Sequence, residues 1–136
     1  MRCLLPNRDQ IAAKVLDGEA ILINLDTGVY YSLDGAGATL WQLVESGCPL
    51  EQLGAELADC YGVNQAQVEA DITEVLGQMR QETLVLEGES EGPYVRPETI
   101  PGQYARPELM IYRDMGDLLA LDPPAPRLEQ ITWQPG

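Results

Sequence analysis

The sequence predicts an α+β domain, a three-stranded antiparallel sheet followed by three helices, with an extended proline-rich tail behind it. Three observations carry this reading. Residues 11–33 are short apolar and β-branched runs separated by Asp17-Gly18 and by Asp26-Thr27-Gly28, both strong turn signals. From Asp34 to Gln81 the apolar residues change to helical spacing. Beyond Glu87 the composition shifts, and eight of the 10 prolines fall there: Pro93, Pro97, Pro101, Pro107, Pro123, Pro124, Pro126 and Pro135.

Residues 1–10 carry no periodic signal and read as a loose lead-in to a domain spanning residues 11–87. The first strand is expected over residues 11–16. Asp17-Gly18 is the strongest two-residue hairpin signal in the chain, and it leads into a second strand over about residues 19–25. The third strand is expected at Val29, Tyr30, Tyr31, Ser32 and Leu33. Three strands are near the minimum for a sheet, which then needs a helical layer to cover it. Asp34 reads as the N-cap of helix one, which carries Ala38, Leu40, Trp41, Leu43 and Val44 and ends at Gly47. Pro49 opens helix two at a position where a missing N–H is harmless, and Gly62 closes it. Asn64 caps helix three, with Val68, Ile72, Val75, Leu76 and Met79 on one face. Leu84-Val85-Leu86 reads as a short extended run that rejoins the sheet or covers its end.

Composition narrows the chemistry. A formal charge of −14 and a pI near 4.1, with the eight cations scattered, oppose binding to nucleic acid or to anionic membranes. The chain has no His, which removes the commonest general base near neutrality and the commonest transition-metal ligand. Cys3, Cys48 and Cys60 are odd in number and lack metal-site spacing, so they read as reduced thiols of a cytoplasmic protein. Gly35-Ala36-Gly37 has no phosphate-loop context, and reads as small residues that let helix one start close against the sheet. Pairs of acids such as Glu69 with Glu74 read as solvated helix faces. No catalytic set, metal site or cofactor is expected.

The order of elements is winged-helix-like, and the bland expectation for that shape is DNA binding. Here Glu51, Glu56, Asp59, Glu69, Asp71 and Glu74 line the candidate reading helices, with no cation before Arg80. Such a surface repels phosphate, so fold analogy does not carry function. What remains is peptide binding by strand addition: residues 29–33, at a sheet edge, would offer free backbone groups to an extended guest. Tyr30 and Tyr31 would wall both faces of that strand, although one can equally be a core residue and the other a shield for the edge.

At this point the residues resemble a known family. Asp17-Gly18-Glu19-Ala20-Ile21-Leu22, then Asn24-Leu25-Asp26-Thr27-Gly28-Val29-Tyr30-Tyr31-Ser32-Leu33, then Gly37-Ala38-Thr39-Leu40-Trp41-Gln42-Leu43 are similar to the PqqD family. The pattern continues through Val68, Asp71-Ile72, Leu76 and Leu84, so the resemblance covers about residues 10–87. These small domains, also called RiPP recognition elements, present ribosomally made precursor peptides to modifying enzymes. The resemblance implies a leader peptide added as a strand beside Val29, Tyr30, Tyr31, Ser32 and Leu33, facing Val68, Asp71, Ile72, Val75 and Met79 of helix three. The expected partners are thus a precursor (leader) peptide and a peptide-modifying enzyme.

Residues 88–136 are expected to be linker and tail, with an apolar island over 108–122 that docks on its own domain or on a partner. Within it, Leu109 to Tyr112 reads as a short strand and Asp114 as the cap of a helical turn. The stretch from Asp114 to Pro123 resembles the aspartate-methionine and leucine-rich end of some longer family members, except that Pro124-Ala125 follows where Ile-His is expected. The competing readings are a winged-helix regulatory protein and a structural subunit whose tail swaps onto a neighbour. The adaptor reading depends on an open strand edge. An edge already occupied, by the chain's own tail or by an interior neighbour that cannot be displaced, would remove its docking place.

Overall fold

The computed structural model describes residues 2–89, 93–97 and 102–113. In chain order the elements are β1 (Arg2–Pro6), β2 (Ile11–Leu16), β3 (Glu19–Asn24), β4 (Tyr30–Asp34), α1 (Ala36–Glu45), α2 (Leu50–Tyr61), α3 (Gln65–Gln81), β5 (Val85–Glu89) and β6 (Met110–Tyr112). The expected α+β class, hairpin, meander and three helices are all present. The principal sheet, however, has four strands rather than three, in the order β2-β3-β4-β6, all antiparallel. A second sheet pairs β1 with β5.

Local chemistry explains the meander. Asp17 and Gly18 both have positive φ, 54° and 78°, which matches the twist of a two-residue hairpin. At the next turn the Asn24 side chain accepts from the N–H groups of Asp26 and Thr27, and Gly28 takes φ 77°. Ala20 and Leu22 on β3, with Tyr31 and Leu33 on β4, turn inward and are buried beneath the helices. The core is aliphatic around Trp41, with Leu40, Leu43, Leu53, Leu57, Val68 and Met79 fully buried.

Three boundaries differ from the expectation. Residues 2–6 are not a loose lead-in but β1, paired from Arg2↔Glu89 to Pro6↔Val85. Cys3 and Leu4 are both buried, so neighbouring residues face packed surroundings on both sides and the strand shows no alternation to read. Accordingly Val85 onward does not rejoin the principal sheet; it closes on the N-terminus. Asn7 clasps this junction, its N–H donating to the Leu84 carbonyl and its side chain to the Thr83 carbonyl. Asp34 is the last residue of β4, not the cap of α1. Gly35 takes that position with φ 54°, a turn from strand to helix that a side chain would strain. A Cβ on Gly37 would lie 3.2 Å from Leu33, so the small residues do let α1 begin close against β4. Asn64 caps α3 as expected, accepting from the Gln67 N–H.

Candidate functional site: the outer edge of β4

Asn24 N–H donates to the Val29 carbonyl across the β3–β4 turn. By antiparallel alternation, Tyr31 and Leu33 direct their main chain to β3, whereas Tyr30 and Ser32 direct theirs outward. That outward row was expected to be free. It is occupied by the chain's own tail: Tyr30 pairs with Tyr112, Tyr31 with Ile111 and Ser32 with Met110. The expected short strand in the apolar island is therefore real, and it docks on its own domain. The remainder of the 108–122 segment, from Asp114 on, lies outside the described residues.

Residues 104–113 fill the groove between β4 and α3. Leu109 is buried, Ile111 packs against the core, and the rings of Tyr112 and Tyr30 lie 5.4 Å apart on the outer face of the sheet. The Tyr104 hydroxyl donates to Asp71 at 2.6 Å, and its ring meets Tyr61 edge-on at 5.8 Å. Arg106 pairs with Glu74. Arg113 grips Glu82, with Nη1 3.2 Å from Oε1. A hollow of about 270 Å³ remains between this segment and α3, lined by Glu74, Val75, Gln78 and residues 106–110.

Further back, the Tyr94 hydroxyl donates to Gln52, and Arg96 pairs with Glu56 and Asp59. Tyr-x-Arg thus occurs twice in the tail. Each time the tyrosine and arginine meet polar side chains one helical turn apart, Gln52 with Glu56 on α2 and Asp71 with Glu74 on α3. The geometry matches: side chains two apart on an extended chain are ~6.5–7 Å apart, close to the ~5.4 Å pitch of a helix.

Of the ten residues expected at the site, Tyr30, Tyr31 and Ser32 pair with β6, Asp71 bonds to Tyr104, and Val75 lines the hollow. Leu33, Val68 and Met79 are fully buried core residues, and Val29 packs against that core. Ile72 lines a separate hollow against α2. Tyr31 is the core tyrosine and Tyr30 the edge one, so the plainer of the two readings of that pair describes the structure. Burial, then the neighbouring Glu82 that accepts from its hydroxyl, pushes the Tyr31 phenol up to about 12. Sequence reasoning missed Glu74, Gln78 and Glu82. Their spacing from Asp71 (three, seven and eleven residues) is that of one helical face, but an acidic stripe on its own reads as solvated.

Arg113, followed by Tyr31, holds the Glu82 carboxyl below its ordinary value of 4.5. A depressed carboxyl stabilises the docked tail fully above that ordinary value and ceases to do so as pH falls through the depressed one. Acidification is thus expected to loosen Arg113 in a single step, followed by NMR of the Tyr30 and Tyr112 rings. Glu82→Gln should remove the step, and its persistence in that variant would refute the assignment.

Among the described residues no group of three or more His, Cys, Asp or Glu could hold a metal ion, and no helix is long and apolar enough to cross a membrane. Burial pushes the Cys48 thiol up to about 12, the reverse of what a nucleophile needs.

Comparison with known proteins places this edge in context. The family model for coenzyme PQQ synthesis protein D (PqqD) matches residues 19–85, from β3 into β5. A solved structure, TbiB1 in complex with the TbiA(beta) leader peptide, is 30% identical, with a TM-score of 0.54 over 57% of this chain and 90% of that one. The chain belongs to the PqqD family. No curated protein matches it. The PqqD match ends before residue 110, so the strand added at β4 comes from outside the matched segment.

Proposed function

We propose that the chain is a non-catalytic adaptor that binds the leader of a ribosomally synthesised precursor peptide and presents it to a modifying enzyme. Binding is by strand addition at β4, against α3. The observation that carries this reading is that β4 already accepts, in antiparallel register, a strand from outside the PqqD segment. The similarity to a leader-bound structure supports the same use.

Displacement of the resident strand is a required step, and its attachment suits it to leave. The ladder is three residues long, and both side chains of the Arg106–Glu74 pair are more than half exposed, whereas Glu82 beneath Arg113 is largely covered. An exposed pair such as Arg106–Glu74 is worth only ~0–1 kcal/mol. A guest with basic residues would complement Asp71, Glu74 and Glu82 as the tail does. The contacts available to it are a few main-chain hydrogen bonds, each worth ~0.5–1.5 kcal/mol net, and an apolar anchor at the place of Leu109.

The test is fluorescence anisotropy with labelled leader peptides encoded by short open reading frames beside this gene. Saturable binding is expected, weakening as salt rises from about 0.05 to 0.5 M. If no such leader binds, even to a variant whose tail strand has been released, the adaptor reading is wrong.

A further inference from the structure

We infer that residues 104–113 are a tethered peptide ligand of the β4–α3 groove, an internal competitor that an outside peptide must displace. The inference deepens the adaptor reading and rests on it for the identity of the outside guest. Its own evidence is separate. The segment uses every kind of contact a strand-adding peptide needs: a backbone ladder on Tyr30, Tyr31 and Ser32, a buried apolar anchor in Leu109, and charged or polar contacts at three points along α3, Asp71, Glu74 and Glu82.

Attachment is chemically lopsided. The acidic stripe of α3 meets two arginines and a tyrosine hydroxyl of the tail, in a protein that carries only eight cations. A tail that served only to cover an apolar face would not need that complementarity. A tether of this length gives a weak ligand an effective concentration on the order of millimolar, so modest contacts suffice to keep the groove filled. An outside peptide then binds with an apparent affinity reduced by the fraction of chains whose groove is open.

The experiment uses full-length protein and a labelled synthetic peptide of residues 103–113 as the probe. Release is engineered on the tail alone, by Met110→Pro combined with Arg106→Glu and Arg113→Glu. Met110 and the two arginine side chains are all about half exposed or more, so the domain beneath is left intact. Proline removes a ladder donor, and the glutamates face Glu74 and Glu82. Amide exchange at Tyr30 and Ser32 reports the edge directly: slow in the wild type, fast in the released variant, and slow again with probe bound.

The released variant is expected to bind the probe about tenfold more tightly than the wild type, or better. Equal affinity for the two proteins, or no binding to either, overturns the inference. So does a wild-type protein that sediments as a dimer dissociated by the same substitutions, because the strand would then belong to a neighbouring copy. The two ideas fail separately. A precursor leader that binds the released variant, when the 103–113 probe does not, removes the competitor and keeps the adaptor. The converse result keeps the competitor and removes the adaptor.

Discussion

Proline at position 32 is expected to strip the added strand from β4 and abolish peptide binding, while the rest of the domain stays folded. Ser32 directs its main chain away from β3 and toward Met110, so its N–H serves the guest edge and not the meander. Proline deletes that donor and crowds the incoming strand, which is why it is confined to sheet edges. Tyr31→Pro provides the contrast. Tyr31 turns its N–H to Leu22 on β3 and buries its ring, so the substitution should unfold the sheet. In a three-residue ladder only Tyr30 and Ser32 point their N–H outward, so losing one of these two donors should weaken peptide binding by about tenfold or more. Anisotropy and thermal melting, measured on both variants, separate the two outcomes. Wild-type binding by a folded Ser32→Pro protein would show that the edge is not where peptides dock.

The largest effect on stability is expected at Trp41. Its side chain is fully buried in a core that contains no Phe, so nothing nearby can expand to replace it. Trp41→Ala should cost ~3–5 kcal/mol, a large part of the ~5–15 kcal/mol that holds a domain together. The indole N–H has no hydrogen-bond partner among the described residues. Trp41→Phe, which removes that donor along with less volume, should therefore cost markedly less than the alanine variant. Urea denaturation at fixed pH checks both. Near-equal losses would mean that the indole group contributes little through its size.

Much of the fold was legible because it is written in local chemistry. Asp17-Gly18 fixes one turn, Asn64 starts α3 and Gly62 ends α2 in the left-handed conformation that suits glycine. What escaped was set by partners distant in sequence. Residues 2–6 become a strand only because residues 85–89 lie beside them. The third strand reads one residue early in the sequence, 29–33 against Tyr30–Asp34, and whether its outward edge is open depends on a segment some eighty residues later. At the site, apolar residues of α3 were expected to face the guest. Val68 and Met79 are fully buried with the tail in place, in one cluster with Leu109 of the tail. The polar stripe beside them does the meeting. Alternating tyrosine and arginine in the tail was the available signal, and it gains meaning only when laid along two acidic helices.

The Tyr-x-Arg spacing has a mechanical consequence. Contacts made one helical turn at a time stand in single file, so no two of them have to break together. Such a band comes away from one end, rung by rung, and an arriving chain can take each rung as it falls vacant. The fraction of chains with an open groove would then be set by how far that peeling runs, not by one concerted release.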